Sequence, residues 1–382
     1  MNKKKIISLT LASLLIVSTA PMTAEAYSEN DSINVKINIT NEEKQELHEE
    51  ISVVLNNYFN WHYKNLKGSD KNANEIKKIV DNIDLINFKK TKLEWMDKWY
   101  KSINEGINDY SIYIDINEIK VHSEYIYVKA NYGEDLINET SSDVVQKIRN
   151  QEHKLVLKNT SNNIMIINDY YQDELAEEFF SVEDNDFTVV NEKVSKNLKN
   201  ASNNYQKYIK NIDKLSKEHK SNLKQANYLS KLESISSRAY SSYDGAKARN
   251  YAAKYALSYN SNYSNYNGRG GDCTNFVSQC IYAGGIPTDA TWKKNSNAWI
   301  RVTELRNWLV KKRYAKEFTW QSNAKEGDLV QLYNSSNGWY HSLIITYKRT
   351  DGQLFVSSHS ADYYNRALAN YTSKMRYLIL TS

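Results

Sequence analysis

The chain of 382 residues carries 50 Lys and Arg against 45 Asp and Glu, with 30 tyrosines, 2 prolines and 2 cysteines. That length suits two domains at roughly 150 residues each and is enough to bury real cores. Two cysteines exclude a disulfide-built scaffold, and no run after the N-terminus approaches the roughly 20 apolar residues that span a bilayer.

Residues 1–26 have the three parts of an export signal: basic Asn2–Lys5, apolar Ile6–Val17, and the cleavage-type triplet Ala24-Glu25-Ala26. The sequence thus predicts a secreted, extracellular protein, with no membrane association once the signal is removed. The signal's three Lys and one Glu leave +3 of the total +5 on the mature chain. Ala246–Ser382 holds 18 Lys and Arg against 8 Asp and Glu, so this C-terminal part is +10 and Tyr27–Gly245 is −7. A basic unit suits an anionic surface such as a cell wall or a nucleic acid.

Tyr27–Lys36 reads as polar and loose. From Asn41 to about Leu66, apolar positions at Leu47, Ile51, Val54, Leu55, Tyr58 and Phe59 predict a helix. Asn74–Ile86 and Lys92–Glu105 read as two more. Tyr110–Ile116, Lys120–Asn131, His153–Lys158 and Ile164–Asp169 have the β-branched and aromatic bunching of antiparallel strands. Together they predict a small α+β domain over 35–190. It resembles cystatin-like or nuclear-transport-factor-like folds in outline alone. His48, His62, His122 and His153 show no ligand spacing. Residues 191–238 are charged and rich in Asn, Ser and Lys, which predicts a helical linker whose solvated face, rather than nucleic acid, accounts for its charge.

A further α+β domain is expected over 239–382. Asp244 can cap a helix through Ala246–Ala256, and Tyr259–Gly271 is a Tyr/Asn/Gly loop. In Gly270-Gly271-Asp272-Cys273-Thr274-Asn275-Phe276-Val277-Ser278-Gln279-Cys280 the apolar positions take helical spacing and place Cys273 in the first turn. Unpaired N–H groups and the positive dipole end favour an anion there, and the thiolate is the nucleophilic form of cysteine. Cys273 and Cys280 lie seven apart on one helix, about 10 Å along its axis, too far for a bridge. That leaves Cys273 free for chemistry and assigns Cys280 to the core. A helix is expected over Val302–Lys312, then strands at Asp328–Tyr333, His341–Tyr347 and Leu354–His359, with Thr350-Asp351-Gly352 as the last hairpin turn.

A cysteine nucleophile needs a base and a group to orient that base. His341 and His359 are the only histidines beyond Cys273. Antiparallel pairing across Asp351-Gly352 brings residues summing to about 700 together, so His341 falls beside His359 or Ser360. His359 is therefore a candidate to orient His341, with Asp362 a second. The backbone N–H of Cys273 is a natural oxyanion donor. Trp292, Trp299 and Trp339 are candidates for lining a groove, although core packing accounts for at least two of them.

The cysteine segment is similar to the nucleophile motif of the putative amidase domain family, which is related to the CHAP and NlpC-type papain-like hydrolases of bacterial cell walls. Tyr243-Asp244 to Tyr259-Asn260, Gly327-Asp328-Leu329-Val330 and His341-Ser342-Leu343-Ile344-Ile345 match in the same order. The likeness covers about 239–382. It implies a papain-like fold, with the Cys-bearing helix packed on an antiparallel sheet carrying the His, Cys273 as nucleophile and His341 as base. Asn267 is a further oxyanion candidate by the same likeness. The hairpin is longer here than in compact NlpC-type domains, which leaves His359 and Asp362 both open for the third position. The implied activity is cofactor-free, metal-free hydrolysis of an amide in peptidoglycan or another wall polymer. A non-wall amide and a non-catalytic wall-binding or adhesion protein are the alternatives. The sequence sets no oligomeric state.

Overall fold

The computed structural model describes residues 41–68, 72–160, 163–171, 192–233, 243–321, 323–335 and 337–381. The predicted signal 1–26 and the polar run after it lie outside the described residues.

Helix α1 (Asn41–Lys67) buries Ile51, Leu55 and Tyr58 at the expected i, i+4, i+7 spacing. The two helices expected next are instead a short 3₁₀ turn (Ala73–Lys78) and one long helix, α2 (Ile83–Ser102). Val80 bridges Ile166 and ends the first, and the side-chain oxygen of Asn82 accepts from the N–H groups of Asp84 and Leu85 to start the second. Strands β1 (Ile107–His122), β2 (Tyr125–Asn138), β3 (Ser141–Asn159) and β4 (Ile164–Tyr170) follow. The expected strand at 120–131 straddles the β1–β2 turn, where Ser123 takes φ +56°.

The predicted linker is helical, as α3 (Glu192–Lys210) and α4 (Ile212–Glu233). It does not stand free, however. Leu198, Ala201 and Tyr205 are buried in the core with Phe88 and Trp95, because their i, i+3, i+7 spacing gives α3 one narrow apolar face.

The C-terminal part runs α5 (Gly245–Tyr255), α6 (Cys273–Ala283), α7 (Asn297–Ile300), α8 (Val302–Lys311), β5 (Ala315–Phe318), β6 (Leu329–Asn334), β7 (Gly338–Lys348), β8 (Leu354–Ser358), β9 (Asp362–Ala367) and β10 (Lys374–Leu380). The fold is α+β with a large, antiparallel, 10-stranded sheet in the order β1-β2-β3-β9-β8-β7-β6-β10-β5, and β4 also on β3.

That order joins the two regions expected as separate domains. Strand β3 is 19 residues long, several times the usual strand. Lys154–Asn159 pairs with β4, while Lys147–Arg149 pairs with β9. Asn150, at φ +55°, lies between the two pairings. Arg349 reinforces the junction with Glu105 at 2.8 Å and Thr140 at 2.7 Å. The indole N–H of Trp99 donates to the carbonyl of Ala369 at 3.0 Å.

Strand β7 lies at the centre and alternates between two cores. Leu343 and Ile345 join the core shared with α1 and α2, while Ile344 joins Phe276, Val277 and Trp299 on the other face. Helix α6 is buried from Cys273 through Ile281, and its polar residues Thr274, Asn275, Ser278 and Gln279 are each hydrogen-bonded to the packed surroundings. No described helix is long and apolar enough to cross a membrane.

Candidate active site

The chain reaches α6 through Gly270 and Gly271, both with φ near +97°. A Cβ on Gly271 would also meet Ser360 Oγ at 3.0 Å, so glycine is required there for conformation and for space. Asp272 and Cys273 follow, both buried.

The sulfur of Cys273 is met from β7. The side chain of His341 and the backbone N–H of Ser342 both hydrogen-bond it, and the Thr274 hydroxyl lies 3.8 Å away. Burial pushes the thiol up, but the His341 charge and these hydrogen bonds outweigh it and hold Cys273 below its ordinary value. Cys280, seven residues along the same helix, has burial as its main influence and is pushed well above. Thr274 and Ser342 lock helix to strand through their hydroxyls at 3.0 Å, and Gln331 donates to Ser342 at 3.1 Å. Arg376 donates to Gln331 at 2.8 Å and so fixes which end of that amide faces Ser342.

The β7–β8 register is as expected: Ile344 faces Ser357 and Ile345 faces Val356, which carries His341 to the level of Ser360. The third position is not filled as expected. Strand β8 ends at Ser358, and Ser360 turns at φ +83° to accept the Asp272 N–H at 2.7 Å. His359 consequently faces α5 and α6. Its Nδ1 bonds Asp272 Oδ2 at 2.6 Å and its Nε2 bonds the carbonyl of Tyr255 at 2.7 Å. Both partners are acceptors, so both bonds form together only when both ring nitrogens carry protons. The ring lies between Phe276 at 4.1 Å and Tyr259 at 4.3 Å. Neither nitrogen is left to orient His341.

Asp362 is engaged elsewhere too. It accepts from Tyr259 at 2.6 Å and from Asn150 of β3 at 2.8 Å. Burial pushes its carboxyl up, against the opposing effect of these two donors. Asn267 donates its amide to the Tyr259 hydroxyl at 2.6 Å, which joins it to this chain of bonds rather than to Cys273. Of the sequence candidates, Cys273 and His341 are thus brought together. His359, Asp362 and Asn267 form a supporting network behind the helix terminus.

Asp272 is the member that sequence reasoning passed over. One carboxylate oxygen takes His359, and the other accepts from the N–H of Tyr266 and the amide of Asn275, both at 2.9 Å. Asn275 in turn accepts from the Trp299 indole at 2.8 Å. The signal was present in the motif, since a carboxylate just before a helix-start cysteine has to be paired if it is buried. Trp292 and Trp299 are fully buried core residues, and Trp339 carries Arg376 over its ring at 4.0 Å. Among the described residues no three His, Cys, Asp or Glu side chains gather as a metal site would require.

Residues 242–380 match the family model described as "putative amidase domain". Among curated proteins, one described as "Uncharacterized protein YjcM" of Bacillus subtilis (strain 168) is 34% identical over 150 residues, covering 37% of this chain. The match spans 36% of that relative's own length. No solved structure matches. The C-terminal third is thus similar to an amidase-type domain, while the match stops short of α1–α4 and β1–β4.

Proposed function

We propose that this protein is a secreted, papain-like cysteine amidohydrolase that cleaves amide bonds of peptidoglycan, with Cys273 as nucleophile and His341 as base. The observation that carries this reading is the Cys273 sulfur at the start of α6, hydrogen-bonded by His341 and held below the ordinary thiol range. The amidase-type match over 242–380 supports the reaction class. The export-type N-terminus and the basic C-terminal part support a wall polymer as substrate.

In this mechanism His341 takes the Cys273 proton, and the thiolate adds to the amide carbonyl carbon. The backbone N–H of Cys273, one of the donors a helix start leaves unbonded within the helix, faces the developing oxyanion. The imidazolium returns its proton to the leaving nitrogen as the C–N bond breaks, which leaves a thioester and a free amine. Water, deprotonated by His341, then hydrolyses the thioester to a carboxylic acid and restores the thiol. The Asp272–His359 pair holds the loop and helix start in place.

The test is incubation of the mature protein, beside Cys273→Ala, with purified peptidoglycan, and identification of released fragments by mass spectrometry. Fragments released only by the intact cysteine are expected, and their new ends distinguish an amidase from an endopeptidase. No release, with Cys273 alkylating rapidly at neutral pH, would overturn the substrate and retain the enzyme. No release with an inert thiol would overturn both.

A further inference from the structure

The aromatic cavity between α1, α2 and the sheet, beside His153, carries charges of both signs on its wall, Glu134 against Lys92 and Arg366, and so selects no ligand by charge. A second cavity, of about 200 Å³, is different. It lies between α4, Trp99 of α2 and the turns at Gln321 and Gln353, and among the described residues no Lys or Arg lines it. An engineered cavity of about 150 Å³ in another protein admits benzene, so this space has room for one substituted six-membered ring. Tyr377 of β10 lines it and belongs to the core shared with α1 and α2, whereas Leu378 belongs to the core with Phe276. The cavity therefore lies across the sheet from α6 and Cys273.

The polar groups on its wall decide what the ring carries. Gln321 and Gln353 are only 6% and 3% exposed. The amide nitrogen of Gln321 donates to the carbonyl of Gly352, and that of Gln353 donates to the carbonyl of Leu354 at 2.9 Å. A carbonyl partner fixes which end of each amide is the nitrogen, so the oxygens are the ends left over. Among the described residues no donor reaches either oxygen. A buried acceptor without a donor is costly, so a ligand here has to bring hydroxyl or N–H groups. Burial pushes the His219 imidazole down, against the opposing Glu105 and Asp351 carboxylates, which leaves it uncharged at neutral pH. Glu218 is exposed, with Lys214 at 3.9 Å. Trp99 donates its indole N–H to Ala369 and keeps its ring face, and Trp320 is half-buried on the same lining.

From the ring-sized volume, the indole faces, the two amide oxygens without donors and the lack of a lining cation, we infer that this cavity binds one uncharged, polyhydroxylated ring, a neutral pyranose, stacked on Trp320 with hydroxyls donating to Gln321 and Gln353. Such a ring has C–H faces for an indole and a hydroxyl on most of its carbons, whereas a nucleobase brings few donors for the two oxygens. The site shares no residue with the Cys273 site and does not rest on the amidohydrolase reading.

The experiment titrates the full mature chain with glucose and N-acetylglucosamine, with their charged counterparts glucosamine and glucuronate, and with uridine, by calorimetry and by the indole N–H signals of Trp99 and Trp320. Saturable binding of one or both neutral sugars is expected, with shifts at those two indoles, and affinity at least about tenfold lower for the charged sugars and for uridine. Trp320→Ala should fold normally and weaken sugar binding by about tenfold, the scale of one aromatic contact. Gln353→Leu, checked for folding by a thermal melt, should weaken it as well. Cys273→Ala should bind sugar as the intact chain does, so the fate of this site is read apart from that of the hydrolase. Failure of both neutral sugars to saturate, equal or better binding of a charged sugar or of uridine, or unchanged affinity in a folded Trp320→Ala variant would each overturn the inference.

Discussion

The two regions of the molecule each bury a histidine against an aspartate. His153 meets Asp169 at 2.7 Å beside the aromatic cavity, and His359 meets Asp272 at 2.6 Å behind Cys273. In the first pair the aspartate also binds Lys89, so a full cation shares its charge. In the second the aspartate's remaining donors are neutral, an N–H from Tyr266 and an amide from Asn275. A buried His–Asp pair is therefore not a signature of catalysis in this chain. What it supports depends on its neighbour: a cavity wall in one region, a cysteine at a helix start in the other. The histidine that touches the sulfur, His341, belongs to neither pair.

Four measurements can break or sharpen that contrast. Cys273→Ser and His341→Ala are each expected to lower amide hydrolysis by about 10⁴-fold or more while the protein stays folded, judged by fragment release and a thermal melt. A variant retaining full activity would remove the catalytic reading of that residue.

Asp272→Asn and Asp169→Asn each leave a buried partner uncompensated and should each cost about 3–5 kcal/mol in urea unfolding. Only Asp272→Asn is expected to slow alkylation of Cys273. Equal slowing by Asp169→Asn would show that the two regions do not divide the work as described.

The third measurement is stability against acid. Burial opposes it, but His153 and Lys89 hold the Asp169 carboxyl down at about 2. A carboxylate with a depressed folded value stabilises above its unfolded value near 3.9 and loses that contribution as pH falls toward the folded one. About 2 kcal/mol should therefore disappear between about pH 4 and pH 2. This loss should be absent in Asp169→Asn; an unchanged acid limb would mean that Asp169 is not the group responsible.

The smallest effect is on the thiol itself. Alkylation of Cys273 should reach its midpoint below the ordinary value near 8.5. His341→Ala should raise that midpoint, since the raising effect of burial remains while a lowering one is lost. A midpoint that ignores His341 would separate the two residues functionally.

Local rules made much of the site legible. The motif's helical spacing placed α6 with Cys273 at its start and Cys280 in the core, and alternation about the Thr350–Gly352 turn placed the β7–β8 register that carries His341 to within a residue, a bulge between Ile345 and Tyr347 making up the difference. Those patterns repeat over a few residues, so the chain states them without help. The third residue was misplaced because the ladder ends at Ser358 and Ser360 turns away, a decision made by the bond to Asp272 some 88 residues earlier in the chain. The single sheet that runs through both regions was hidden for the same kind of reason. Composition and charge change near residue 239, but β3–β9 pairing and the Asn150–Asp362 bond join residues more than 200 apart. Such contacts leave no local period, since any strand edge of suitable alternation could accept the partner. The sequence by itself determined the elements, the cysteine's place and the histidine's strand. Only the tertiary structure decided that His359 holds the helix start instead of orienting His341, because that depends on where buried acceptors converge.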